Sequence, residues 1–214
     1  MSDPECIVFV VEDDPLVRDS VADLLAAAGF ASQTYGSATE FIQAKRSDVS
    51  ACLILDVELP DLSGLDLQAD LTNSGIEVPI IFLTGHGDIP RSVRAMKAGA
   101  VEFLTKPFRT GELVDAVRQA LARDGDLRKQ RSETLELRER LGTLTPRERQ
   151  VLALVVAGRL NKQIAGELGT TEMTIKVHRG RVMHKMNAAS LADLVRMAEK
   201  LKISPSRPGY TKVE

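Results

Sequence analysis

The sequence predicts an α/β unit, a doubly wound sheet of five parallel strands, followed by an all-α unit of four helices. Three observations lead to this fold class. Short apolar runs alternate with amphipathic stretches over residues 1–120. The charge changes sign along the chain: residues 1–120 hold 19 acidic and 9 basic residues, and residues 121–214 hold 11 and 19. Helix-capping residues then mark four helices beyond residue 144.

The strand signals are short runs of apolar and β-branched residues. Because they are continuously apolar and separated by helical patterns, they indicate a parallel sheet covered by helices on both faces. Apolar residues recur at helical spacing over residues 17–28, and Gly29 is placed to end that helix. The predicted strands are residues 7–11, 31–35, 51–55, 80–84 and 101–105, of which 31–35 carries the weakest signal.

Composition limits the class of protein. Hydrophobic residues make up 43% and charged residues 27% of the 214 positions, as in an ordinary globular protein. No apolar run approaches the ~20 residues of a membrane span, and the first residues lack a signal peptide's basic start and apolar stretch. These features predict a cytoplasmic protein with no membrane partner. Cys6 and Cys52 lie beside or within apolar runs without metal-site spacing, which predicts buried reduced thiols.

Residues 121–143 are rich in charge and are predicted to form a helical linker after a first domain at residues 1–120. Leucines fill four of six a/d positions in a weak heptad. A solvated linker helix and a dimerising stalk both remain open. The heptad positions are Leu127, Gln130, Thr134, Leu137, Leu141 and Leu144.

Residues 144–203 are predicted to form the four-helix domain. A capping box with proline at the first helical position starts at Thr145, and Gly158 ends that helix. Asn161 and Thr171 are the predicted caps of the second and third helices, and the fourth covers residues 191–201. Residues 204–214 hold two prolines, one glycine and little apolar content, which predicts a disordered tail.

Chemically useful residues follow four of the predicted strands. Carboxylates follow the first strand at residues 12–14 and the third at Asp56, a hydroxyl ends the fourth at Thr84, and Lys106 follows the fifth. Sites in open α/β sheets form beyond the carboxyl ends of the strands, so these groups are expected to converge. Converging carboxylates favour a hard divalent cation, Mg²⁺ or Mn²⁺. An Asp56 oxygen can then attack a phosphoryl group, with the lysine and hydroxyl sharing the developing charge.

Four segments resemble those of CheY-like receiver domains, which have the flavodoxin-like fold. The run from residue 84 to residue 103 resembles the FixJ branch in particular. The resemblance implies that a histidine kinase phosphorylates Asp56. The segments are VVEDD at 10–14, LILDVELP at 53–60, LTGHGD at 83–88 and LTKPF at 104–108.

The same resemblance assigns the metal ligands. It implies that Asp13 and Asp56 bind Mg²⁺ directly, that Glu58 contributes its backbone carbonyl, and that Glu12 acts through a metal-bound water. Many receivers carry aspartate where this chain has Glu12, so the longer side chain puts the metal affinity in question.

The resemblance also assigns a switch. It implies that Lys106 pairs with the phosphoryl oxygens, that Thr84 closes onto them, and that the aromatic Phe103 then moves inward. Many receivers have tyrosine at this last position, so Phe103 lacks a hydroxyl that could donate a hydrogen bond. The Lys106–Pro107 bond is implied to be cis. His86, between two glycines, is interpreted as a loop residue rather than a metal ligand or general base.

The second and third helices of the basic half are joined by a short glycine turn, as in a helix-turn-helix. On the third helix Lys176, Val177 and Gly180 point outward, where lysine can reach guanine edges and valine can touch a thymine methyl. Basic residues around them are candidates for backbone contacts. These are Arg179, Arg181 and Lys185, with His184 beside them.

Three segments of this half resemble the LuxR/FixJ/NarL DNA-binding domain: LTPRERQVL at 144–152, NKQIA at 161–165 and TIKVHR at 174–179. The resemblance implies that Lys176, Val177 and Gly180 face bases, and that the fourth helix dimerises. A side chain usually stands at the position of Gly180, so one base contact is in doubt.

Together these features predict a two-component response regulator, a transcription factor and not an enzyme. Its expected partners are a histidine kinase, promoter double-stranded DNA, a second copy of the chain after phosphorylation, and RNA polymerase. One alternative is a Mg²⁺-dependent phosphohydrolase with Asp56 as nucleophile, which leaves the basic half without a purpose. Another is a phosphorylation-independent DNA binder with a vestigial receiver.

Overall fold

The structure, a computed structural model, describes residues 6–45, 48–85 and 89–203. The chain divides into two compact units, Met1–Arg128 and Lys129–Glu214. The predictions for His86 and for the tail at 204–214 lie outside the described residues. Within the described ranges, no helix combines the length and the apolar character needed to span a membrane.

The first unit is built on a five-stranded parallel sheet with the strand order β2-β1-β3-β4-β5. This confirms the predicted doubly wound fold. The strands are β1 (Cys6–Val11), β2 (Ser32–Tyr35), β3 (Ser50–Asp56), β4 (Ile80–Thr84) and β5 (Glu102–Thr105). The helices between them are α1 (Pro15–Ala27), α2 (Ala38–Gln43), α3 (Gly64–Asn73) and α4 (Ile89–Lys97).

Each face of the sheet buries its own apolar cluster, because successive strand residues point to opposite faces. Phe9, Leu55 and Phe82 lie in one cluster. Val10, Ile54 and Leu83 lie in the other. Because both faces are covered, the site is expected beyond the carboxyl ends of the strands, where polar side chains follow the apolar runs.

Helix α5 (Thr110–Gly142) begins in the first unit and ends in the second. No break occurs at residue 120, so the expected linker at 121–143 forms the later part of one 33-residue helix. Within the second unit, Leu137 and Leu144 are buried with the core of the following helices. Two of the heptad leucines therefore pack inside this unit.

The second unit continues with α6 (Pro146–Val156), α7 (Asn161–Glu167), α8 (Glu172–Met186) and α9 (Leu191–Lys200). Thr145 and Thr171 cap α6 and α8 as predicted. The predicted cap of α7 is wrong by one residue, because Leu160 occupies the cap position without a side-chain hydrogen bond. The Gln163 side chain accepts the Leu160 amide at 2.9 Å instead.

Candidate functional site

Three carboxylates meet where β1 and β3 end. Glu12 and Asp13 follow β1, and Asp56 is the last residue of β3. Oxygen atoms of the three side chains lie within 4.8 Å of one another. Glu12 and Asp56 are buried, at 1% and 5% exposure, whereas Asp13 is exposed. The register of the two neighbouring strands therefore brings together side chains that are 44 residues apart.

Lys106, which follows β5, supplies the opposing charge. Its ammonium donates to Glu12 Oε2 and to Asp56 Oδ2, each at 2.6 Å. Burial raises the pKa of Glu12 to about 7, and the neighbouring Asp56 adds to this while Lys106 opposes it. Burial alone would lower the pKa of Lys106, but its hydrogen bonds to Asp56 and Glu12 raise it. The site thus holds more negative charge than one lysine compensates.

The loop after Asp56 is fixed at both ends. The Glu58 amide donates to Asp56 Oδ1 at 2.8 Å, and the Gly64 amide donates to the Val57 carbonyl at 3.0 Å. A Cβ at Gly64 would collide with the Asp56 carbonyl, so the close return of this loop requires glycine. Asp61 accepts the Thr39 amide at 2.9 Å and hydroxyl at 2.7 Å, which ties the loop to α2.

The predicted switch residues lie on the two strands beyond Asp56. Thr84 ends β4 and is buried, and its carbonyl accepts the Lys106 amide at 2.7 Å. Phe103 is half-buried in β5 and packs against Phe82, with ring centroids 6.1 Å apart. The Lys106–Pro107 bond is cis, as the resemblance implied.

The residues of the acidic cluster fit a hard divalent cation. All their donor atoms are carboxylate oxygens, and their separation is that of ligands around one ion. One of the three side chains is open to solvent, which leaves room for the waters that Mg²⁺ usually retains. Glu12, Asp13 and Asp56 are thus suited to hold such an ion.

Sequence reasoning missed Arg18, which supports this site from α1. Its guanidinium donates to the Glu12 carbonyl at 2.7 Å and to the Asp13 carbonyl at 3.2 Å. It therefore holds the backbone of the β1–α1 loop that carries two of the three carboxylates. An arginine four to six residues after an acidic run carries no signal of its own, because the contact depends on how α1 leaves the strand.

The candidate nucleic-acid interface lies on α8. Lys176, Val177, Gly180 and Arg181 are all exposed. Arg179 is half-buried, and its guanidinium donates to Asn161 at the start of α7 at 3.3 Å. The structure thus places four of the six predicted residues on the open surface of this helix.

Lys185 departs from that group. Its ammonium donates to Glu148 Oε2 at 2.7 Å and to the Thr143 carbonyl at 3.1 Å. Glu148 is buried and also accepts the Thr145 amide at 2.9 Å. Lys185 is therefore engaged inside its own unit, because a buried carboxylate needs a partner. The predicted contact of Lys185 with DNA would require its ammonium to leave Glu148, and it stays a prediction.

Residues 8–118 match the family model described as "Response regulator receiver domain". Residues 142–198 match the one described as "Bacterial regulatory proteins, luxR family". Nodulation protein W of Bradyrhizobium diazoefficiens is 52% identical over 209 residues, covering 98% of this chain and 92% of that protein. The transcriptional regulatory protein FixJ of Azorhizobium caulinodans is 42% identical over 204 residues, covering 95% of this chain and 97% of that protein.

Solved structures of response regulators are also similar to this chain. The response regulator StyR has a TM-score of 0.78 and 47% identity, covering 92% of this chain and 99% of that chain. Full-length FixJ from B. japonicum has a TM-score of 0.56 and 36% identity, covering 95% and 99%. The fold and its acidic edge define a receiver joined to a helical regulatory domain. The chain belongs to the response regulators with a LuxR-type DNA-binding domain.

Proposed function

We propose that this response regulator binds promoter DNA under the control of Mg²⁺-dependent phosphorylation of Asp56 by a histidine kinase. The observation that carries the proposal is the buried Asp56 carboxylate, 2.6 Å from Lys106 and beside two further carboxylates. Because the helix-turn-helix lies on the same chain, phosphorylation of Asp56 can regulate DNA binding. The cytoplasm is the expected location, because kinase, DNA and RNA polymerase are all encountered there.

The chemical step is a phosphoryl transfer between two side chains. An Asp56 carboxylate oxygen attacks the phosphorus of a phosphohistidine, the P–N bond breaks, and the imidazole nitrogen keeps its electron pair. Lys106, released from Asp56, follows the charge onto the transferred oxygens, and the Thr84 hydroxyl donates to one of them. Asp13 and Asp56, together with the Glu58 carbonyl and with Glu12 acting through a water, would hold Mg²⁺ or Mn²⁺, which would supply positive charge opposite the phosphoryl oxygens.

Family membership favours a regulatory role over the phosphohydrolase alternative. The similar proteins FixJ and StyR are a transcriptional regulatory protein and a response regulator. A phosphohydrolase would turn over phosphate esters repeatedly, whereas a regulator takes up one phosphoryl group per chain. The vestigial-receiver alternative is opposed by the complete set of carboxylates around Lys106.

We assign the coupling between Asp56 phosphorylation and dimerisation to the surface formed by α4 and β5. Thr84 moves toward the phosphoryl group, and Phe103 repacks into the space this opens. Val93 and Met96 on α4 are exposed apolar residues that a second copy could cover. Dimerisation would place two DNA-binding domains on half-sites about one DNA turn apart. RNA polymerase is the partner through which the bound dimer would change transcription.

DNA binding is assigned to the exposed face of α8. Lys176 and Val177 face base edges, and Gly180 lies beside them. Arg181 reaches the phosphate backbone, and Arg179 does so if it leaves Asn161.

The function is tested by footprinting the full chain on genomic DNA fragments, with and without acetyl phosphate and Mg²⁺. Wild type should gain affinity roughly 5- to 150-fold on phosphorylation, the usual range of coupling between two sites, and should dimerise. Asp56→Asn should gain neither, because an amide is a poor nucleophile. Equal gains by both chains would overturn the proposal.

The phosphoryl donor is expected to dock on a groove beside the site. The groove has a volume of about 530 Å³ and is lined by α1 and by the loop after β5, including Lys106, Pro107 and Phe108. Leu16 on its rim is 77% exposed. A donor helix that brings its phosphohistidine to Asp56 would cover this apolar surface, because the groove shares Lys106 with the site.

Leu16→Asp should therefore slow phosphorylation by a phosphorylated kinase domain roughly tenfold or more, the effect of losing one buried apolar anchor. Phosphorylation by acetyl phosphate should not change. Ile42→Asp, at an exposed position on α2, is the matched control and should leave both rates unchanged. A Leu16→Asp chain that reacts normally with the kinase would exclude this docking surface.

A further inference from the structure

One aspartate joins the loop after Asp56 to a helix that is distant in sequence. Asp61 lies in the loop from β3 to α3, whereas α2 begins at Ala38. The Asp61 carboxylate accepts the Ala38 amide at 3.3 Å and the Thr39 amide at 2.9 Å. It also accepts the Thr39 hydroxyl at 2.7 Å. Both oxygens of Asp61 are therefore used on the first turn of α2.

The loop from β3 to α3 depends on its side chains for its position. Among the described residues, the backbone of residues 59–62 makes no hydrogen bond to another backbone group. Leu59 and Leu62 are half-buried against an apolar cluster of the sheet, but apolar contacts have no preferred direction. Hydrogen bonds are directional. The bonds of Asp61 therefore fix where the loop lies relative to α2.

The same loop carries a proposed metal ligand. The Glu58 carbonyl, three residues before Asp61, is proposed to bind Mg²⁺, and the Glu58 amide donates to Asp56 Oδ1 at 2.8 Å. Mg²⁺ demands nearly ideal octahedral geometry, so a ligand contributes only if it is accurately placed. Release of the loop is therefore expected to cost metal affinity.

Capping of α2 does not by itself account for Asp61. Ser37 already caps this helix, because its side chain accepts the Glu40 amide at 3.2 Å. The bond between Asp61 and the Thr39 hydroxyl joins two side chains and satisfies no backbone group of the helix. That bond lowers the pKa of Asp61 below its usual value, so the carboxylate is ionised at neutral pH. The pair of Asp61 and Thr39 thus holds the loop against α2.

We propose that Asp61 is a positioning residue for phosphorylation of Asp56, because it ties the loop to α2 and so places the Glu58 carbonyl for Mg²⁺. This deepens the proposed function and rests on it. Asp61 acts through the loop and not on the phosphoryl group. Its loss should therefore weaken metal binding and leave the chemical step unchanged once the metal is saturating.

The test compares two variants that each remove one acceptor from the first turn of α2. Asp61→Ala releases the loop, whereas Ser37→Ala, the matched control, removes the helix's own cap and leaves the loop tied. The affinity of each full-length chain for Mn²⁺ is measured by electron paramagnetic resonance of the free ion. Phosphorylation by acetyl phosphate is followed over a range of Mg²⁺ concentrations, and hydrogen–deuterium exchange is measured for the amides of residues 58–63.

Asp61→Ala should weaken Mn²⁺ binding about tenfold, the lower end of the usual effect of groups that orient metal ligands. The Mg²⁺ concentration for half-maximal phosphorylation should rise by the same factor, while the rate at saturating Mg²⁺ stays at the wild-type value. Amides of residues 58–63 should exchange faster. Ser37→Ala should lower the unfolding temperature and leave the metal affinity unchanged. Wild-type metal affinity in Asp61→Ala, or an equal loss of affinity in Ser37→Ala, overturns this inference.

Thr39→Val decides the question if Asp61→Ala does not fold. This variant removes only the hydroxyl donor and should weaken Mn²⁺ binding about threefold, within the range for one hydrogen bond. Wild-type affinity in Thr39→Val would then overturn the inference. A wild-type chain that binds no Mn²⁺, or that takes up no phosphoryl group from acetyl phosphate, contradicts the proposed function itself.

Discussion

Replacing Lys106 with methionine is expected to lower the unfolding temperature of the metal-free first unit by about 10 °C. The substitution leaves the buried carboxylates of Glu12 and Asp56 without their shared partner, 2.6 Å from each. Removing one side of a buried ion pair costs about 3–5 kcal/mol. The lower end applies because Lys106 is itself partly exposed. For a unit of this size, that loss corresponds to the stated shift.

Mg²⁺ should recover most of this loss, because a divalent cation replaces the ammonium as the opposing charge. Added Mg²⁺ should therefore raise the unfolding temperature of Lys106→Met more than that of wild type. Scanning calorimetry of the full chain, with a chelator and then with Mg²⁺, measures both effects. The Glu12 pKa is about 7 with Lys106 present, and Lys106 opposes its rise, so the substitution raises this pKa further. The scans are therefore run at pH 9, where proton uptake by Glu12 relieves less of the repulsion.

Lys97→Met, which removes an exposed lysine from α4, is the control and should change neither temperature measurably. If Lys106→Met unfolds at the wild-type temperature in chelator, the carboxylates do not depend on this ion pair. The description of Lys106 as their compensating charge would then be wrong.

The sheet was predictable because its strands are buried on both faces and therefore carry continuous apolar runs. β4 begins and ends at the predicted residues, and β5 begins one residue later, at Glu102. The convergence of Glu12, Asp56 and Lys106 followed from one topological rule about the ends of parallel strands. That rule needs only residue types and strand ends, and both can be read along the chain.

Contacts that depend on the exact approach of two elements were not predictable. Asp61 looks like an ordinary loop residue, yet it accepts hydrogen bonds from the start of α2, 22 residues away. Lys185 carries the same charge and lies on the same helix as Lys176, but the sequence does not reveal that Lys185 donates a hydrogen bond to Glu148. Side-chain partners across elements leave no periodic signal in one sequence.

Glu148→Ala is expected to destabilise the second unit by about 3 kcal/mol. The substitution removes the partner of Lys185 at 2.7 Å and the acceptor of the Thr145 amide. It therefore combines the loss of a buried ion pair with the loss of half a capping box. Hydrogen–deuterium exchange of amides in α6 and α8 localises the effect to this unit.

Two control variants separate these contributions. Glu148→Gln keeps an oxygen for the Thr145 amide and loses only the charge, so it should cost less than Glu148→Ala. Glu136→Ala removes an exposed glutamate from the same unit and should have little effect on the exchange of α6 and α8. Equal protection of α6 in wild type and Glu148→Ala would contradict the assigned role.

The ion pair between Glu148 and Lys185 also makes the stability of the second unit depend on pH. The hydrogen bond from Lys185 and that from the Thr145 amide lower the pKa of Glu148 from its ordinary value of 4.5 to about 2. Because the folded-state pKa is lowered, the stabilisation is complete above about pH 5 and is lost as the pH falls from 4.5 toward 2. Glu148→Gln should lack this part of the acid dependence, so its stability deficit relative to wild type should shrink steadily over that range. A deficit that stays constant from pH 6 to pH 3 would show that the Glu148 charge is not what stabilises the unit.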